Sequence, residues 1–140
     1  MKTILLALFF TAPNLFSSLQ PSTQIDLCKV VSESSEYNAK VLTVEGILFP
    51  SDHSLALYSP SCKPTEESDV SMQALLPTGW ESLPNGKQLR KLLSKGKPAH
   101  VTVTGTFESG ADRYGPDVAR FRFTISGISS VGAAPPGLHL

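Results

Sequence analysis

The stretch AHVTVTGTFESGADRYGPDVARFRFTISGISSV, from Ala99 to Val131, decides the fold. Val101, Val103 and Phe107 alternate with His100, Thr102, Thr104 and Thr106. After a polar, glycine-containing break, Phe121, Phe123 and Ile125 alternate with Arg120, Arg122, Thr124 and Ser126. Apolar–polar alternation with period 2, rich in Val, Thr, Phe and Ile, signals half-buried strands. Two such strands across a turn-rich segment predict a long antiparallel hairpin whose six apolar residues face inward.

Working back along the chain, Lys40 to Phe49 (KVLTVEGILF) reads as a first long strand. Gly46 in its middle marks a bulge or a bend. Pro50 to His53 is a turn, Ser54 to Tyr58 a short second strand and Val70 to Leu76 a third. Between the third strand and the hairpin, Pro84 to Lys97 carries Leu89, Leu92 and Leu93 on one stripe. Lys87, Lys91 and Lys95 recur every four residues, with Arg90 beside them. That pattern predicts an amphipathic helix, stopped by Gly96 and Pro98. Ile25 to Tyr37 predicts a short N-terminal helix capped by Asp26, with Leu27, Val30 and Val31 on one face. Asn38 is the residue in the following turn best able to adopt positive φ.

The expected fold is all-β with accessory helices. In detail it is a five-stranded OB-fold barrel with a helix between strands 3 and 4 and a short N-terminal helix. The segments around Cys28, YNAKVLTVEGIL, SPSC, VTVTGTFESG and FRFTISGI carry a resemblance. Together they resemble the small secreted bacterial OB-fold proteins, distantly similar to the tRNA-anticodon-binding OB domains. The resemblance spans Asp26 to Val131 and brings no catalytic signature. A shared fold alone is weak ground for function.

Lys2 followed by the apolar run Ile4 to Phe10 has the plan of a secretory signal peptide. The expected organisation is a signal peptide over residues 1–22, a domain over 25–131 and a disordered tail over 132–140. The apolar run is short of the ~20 residues a membrane helix needs. No stable membrane span is expected after cleavage, and the destination is secreted or periplasmic. Asp26-Leu27 before Cys28 argues against a lipidated cysteine. Two cysteines, Cys28 and Cys62, in an exported chain favour a disulfide. The alternative is a metal site of Cys28, Cys62 and His53, whose scattered ligands lack the close pairs of zinc sites.

Basic and acidic residues balance at 12 each. No global field draws the protein to nucleic acid or an anionic membrane. There is no G-x-S-x-G elbow and no H-E-x-x-H. His100, in the polar phase of a strand, reads as a solvent-facing residue, and His53 as turn chemistry. The lysine-rich helix face reads as a solvated outer surface. The sequence therefore points to an exported, non-enzymatic binding module without a cofactor, its partner an envelope protein, peptide or glycan. The candidate ligand-binding residues are Tyr58, Arg113, Tyr114 and Arg122, around the usual ligand face of an OB barrel. The alternative is a small hydrolase or metal-dependent enzyme. A single-stranded nucleic acid binder is disfavoured, because Glu66, Glu67 and Asp69 would repel phosphate. A concave pocket with convergent titratable groups would favour an enzyme; aromatics and charges spread over a sheet face would favour a binding module.

Overall fold

The computed structural model describes residues 23–62, 72–110, 114–115 and 119–138. The signal-peptide expectation (1–22), most of the loop before the third predicted strand and Arg113 lie outside these residues. Among the described residues six strands run in chain order: β1 (Gln24–Ile25), β2 (Val41–Pro50), β3 (Leu55–Tyr58), β4 (Met72–Leu75), β5 (Ala99–Glu108) and β6 (Arg122–Ala133). Helices α1 (Leu27–Ser32) and α2 (Ser34–Tyr37) separate β1 from β2, and α3 (Gly86–Leu93) precedes β5.

Five of the strands close into a mixed barrel in the order β2-β3-β4-β6-β5 and back to β2. The β4–β6 contact is parallel and the others are antiparallel. Closure depends on β2. One edge of it pairs with β5 from Val41 to Leu48. The other edge pairs first with β1 at Thr43 and Val44, then with β3 from Ile47 onward. Gly46 sits at that handover. A Cβ there would lie 2.9 Å from the Tyr58 carbonyl oxygen, so glycine lets the end of β3 approach β2 closely.

The core fills the barrel. Val101, Val103, Phe107, Phe121, Phe123 and Ile125 are all buried, as their alternation predicts. They pack with Leu27 and Val30 from α1, Leu48 from β2, Leu57 from β3 and Met72 from β4. Leu89 of α3 is fully buried, while Leu92 and Leu93 pack against the core from its margin. Asp26 caps α1, its carboxylate accepting the Cys28 N–H at 2.7 Å.

After Ile125 the next buried residue of β6 is Ile128, three positions on rather than two. The β5–β6 register slips between Thr104 and Gly105 and again between Thr102 and Val103. Each slip inserts an extra residue into β6 and shifts its phase. Gly105 sits at one slip, where an added Cβ would lie 2.2 Å from the Thr124 carbonyl oxygen. Beside the other, the Asn85 side-chain amide donates to the carbonyl oxygens of Ile128 (2.9 Å) and Ser129 (3.1 Å). Gln88 donates to Val131 at 2.9 Å. Of the three carbonyls so bonded, that of Ser129 belongs to the residue skipped by the β5 register, so the start of α3 holds the bulged segment.

Several sequence expectations change. The predicted N-terminal helix is a two-residue strand and two short helices, because Gln24 and Ile25 extend along β2 before Asp26 starts α1. Positive φ falls on Ala39 (62°), not on Asn38 (−55°). Asn38 instead uses its side-chain oxygen to accept the Ser109 N–H at 2.9 Å, and the Ala39 N–H bonds the Phe107 carbonyl at 2.8 Å. Gly132 and Ala133, assigned to the tail, belong to β6 and pair with His100 and Ala99.

Cys28 and Cys62 form a disulfide, with Cα atoms 5.2 Å apart and a sequence separation of 34. The bonded sulfurs are not available as thiolates, which overturns the alternative metal set with His53. Among the described residues, no helix is long and apolar enough to cross a membrane.

Three substitutions test this architecture. In urea unfolding, Gly105→Ala should destabilise by at least about 2 kcal/mol, because the new methyl meets backbone that cannot move aside. Gly127→Ala, where the nearest atom is 3.9 Å away, should stay within about 1 kcal/mol of wild type. Replacing both cysteines by serine should cost roughly 3–4 kcal/mol, the chain-entropy value for a loop of this length.

Candidate functional site

At one end of the barrel the cross-strand register builds a row on the outer face. Glu108 of β5 pairs with Arg122 of β6, which pairs with Gln73 of β4, which pairs with Ala56 of β3. All four are half-buried. Arg122 Nε donates to Glu108 Oε2 at 2.7 Å, and its Nη2 donates to Oε1 at 3.1 Å. This fork-on-fork pair fixes the guanidinium plane. Tyr114 stacks on it, with the guanidinium carbon 4.6 Å from the ring centre. Backbone hydrogen bonds of 2.9 Å in both directions between Tyr114 and Ala119 hold that ring in place. Gly115, at φ 70°, lies so close to the Gln73 side chain that a Cβ would sit 2.3 Å from its Nε2.

Of the predicted site residues, Tyr114 and Arg122 are therefore brought into contact. Tyr58 is not brought into this contact: it lies two residues from Ala56 in the same outward phase of β3, but it pairs with Ile47 and is only 7% exposed. Its hydroxyl finds no hydrogen-bond partner among the described residues. Burial raises its pKa above the ordinary phenol value.

A second constellation lies eight residues away along β5, roughly 26 Å for an extended strand. His100 Nε2 is 2.7 Å from Glu45 Oε1, and Gln24 Nε2 donates to Glu45 Oε2 at 2.8 Å. The amide bond first, and the imidazole bond after it, hold the Glu45 carboxyl below the ordinary carboxylate range. The His100 and Glu45 side chains are 43% and 47% exposed. Both line a pocket of about 430 Å³, together with Ser59 and Ser61. The two serine hydroxyls bond each other at 2.7 Å. Among the described residues neither serine hydrogen-bonds His100, and no group of three or more His, Cys, Asp or Glu is placed to hold a metal ion.

Sequence reasoning read His100 as solvent-facing and did not couple it to Glu45. Both lie in outward phases of the strands expected to be first and fourth, which are neighbours in the expected barrel. The missing quantity was register: the offset that sets Glu45 beside Thr102 also brings His100 diagonally onto its carboxylate. A scan against known protein-family models and a search of curated proteins gave no match to this chain.

Glu108 provides a pH signature. Its hydrogen bonds to Arg122 lower its pKa, against an opposing desolvation. A depressed carboxyl contributes stability above its unfolded pKa, and that contribution is lost as pH falls through the folded value. Acidification through the carboxylate range should therefore remove a component of wild-type stability that Glu108→Gln lacks at every pH. At one-third exposure, solvent screening limits this component to about 1 kcal/mol, measurable by urea unfolding at stepped pH.

Proposed function

We propose that this protein is an exported, non-enzymatic OB-fold module that binds an envelope protein, peptide or glycan. The site would be the outer face of β3, β4 and β6 with the β5–β6 loop. The order of closure supports the fold reading: strands β2 to β6 taken as one to five run 1-2-3-5-4, with the third and fifth parallel. An OB barrel binds on its second and third strands and the loop between its fourth and fifth. The observation that carries the functional reading is Tyr114 stacked on an Arg122 held in plane by Glu108. A pre-oriented aromatic surface with a charged edge suits recognition of a sugar ring or a peptide bond, and loses little entropy on binding. Export is supported by the signal-like N-terminus and by the disulfide.

A second reading, a small hydrolase, draws on one observation: the paired Glu45 and His100 line a concave pocket together with two serines. A single-stranded nucleic acid partner is a weaker third, because Glu108 already neutralises Arg122.

The test is binding of the mature protein to panels of envelope glycans and peptides, with Tyr114→Ala and Arg122→Ala alongside. Each variant should weaken capture by roughly tenfold, about 1.4 kcal/mol, while keeping the wild-type circular dichroism spectrum. Full retention of binding by both variants would sink the assignment of this face. Hydrolytic turnover abolished by His100→Ala would replace it with the second reading.

A further inference from the structure

We propose that the pocket beside Glu45 is a second binding site, which takes the protonated amino group of a small ligand with an apolar body. This is the chemistry of a peptide amino terminus. The site is separate from the Tyr114–Arg122 face and does not rest on it.

The pocket arises from the pairing of β2. On one edge β1 ends opposite Val44, where the chain turns off into α1; on the same edge β3 ends opposite Ile47, where the chain turns off at Ser59. The two chains leave from the same edge, and the hollow between them is lined by Glu45, Gly46 and Ile47 of β2. The Cys28–Cys62 disulfide ties the opposing walls together. Cys28 follows Leu27 of one wall, and Cys62 follows Ser61 of the other. The hollow is thus held by covalent and sheet structure, and its volume of about 430 Å³ is that of a small-molecule site.

Its chemistry selects the ligand. Among the described residues, those lining it include two carboxylates, Asp26 and Glu45, and the imidazole of His100, with no lysine or arginine. An anion would be repelled and a cation drawn in. Glu45 is oriented by Gln24 and His100, one bond to each oxygen, and nearly half of it faces solvent. A carboxylate has about four acceptor positions, so two remain for an incoming ammonium. The Ser59 and Ser61 hydroxyls supply further acceptors. Leu27, Pro60 and Pro135 offer apolar surface for the body that carries the amine.

Isotope-labelled protein titrated with leucyl-alanine amide, its N-acetyl form and n-butylamine tests this by chemical-shift mapping. Saturable shifts at the amides of Gln24, Glu45, Ser59 and His100 are expected with the free-amine dipeptide. Acetylation should weaken binding by at least roughly tenfold, and Glu45→Gln by roughly fivefold. Matching shifts from butylamine would define the site as a general alkylammonium site; shifts from the dipeptide alone would define it as a peptide-terminus site. Equal binding of the acetylated dipeptide would overturn the proposal, whatever the variant does. So would the absence of saturable shifts at these residues at millimolar ligand.

Discussion

Everything in this structure depends on β2 being hydrogen-bonded along both edges. A five-stranded sheet closes only if one strand is long enough to meet both ends of the sheet, and β2, with ten residues, is that strand. Closure removes the exposed edges that make open sheets prone to pairing with other chains. It also imposes local costs. β3 has to approach within contact of the β2 backbone, and Gly46 removes the side chain that would block it.

The opposite wall solves a different problem. β6 is twelve residues long and cannot follow β5 around the barrel in one phase. The register slip at Gly105 turns Ile125 and Ile128 to the same interior, three residues apart. Asn85, the N-cap of α3, and Gln88 within it bond carbonyls along this segment of β6, Ser129 at the second slip among them. The helix therefore closes the barrel with its leucines and, through its polar side chains, completes the bulged strand.

Much of this was legible in the sequence, and the illegible part has a common cause. The six inward residues of the hairpin, the leucine stripe of α3, the Asp26 cap and the cysteine pairing are each fixed by local pattern or by count. Register is not. Ile128 and Val131 follow Ile125 at intervals of three, which period-2 alternation cannot reveal, because a bulge leaves no residue-type signature when serines surround it. The two residues of β1 are too few to show a period. Ala39 takes the left-handed conformation because the Phe107 carbonyl and Ser109 amide claim the groups around it, a tertiary demand that overrides the preference of Asn38. Of the candidate site, Tyr114 was named from the hairpin loop and Arg122 from the outer phase of the last strand, and the two are in contact. The Glu45–His100 pair was missed because it exists only once the offset between β2 and β5 is known.

The disulfide has a consequence for partial unfolding. Proteins open in cooperative units, and those with the fewest restraints open first. Cys28 and Cys62 couple α1 to the end of β3, so neither can leave the barrel without carrying the other. The opening of lowest free energy must then lie elsewhere, and α3 is held across its polar side by three side-chain bonds to β6. Amides of α3 should exchange with solvent before those of α1, although α1 is the shorter helix and sits nearer the start of the chain. One covalent bond thus inverts the order in which two helices fray.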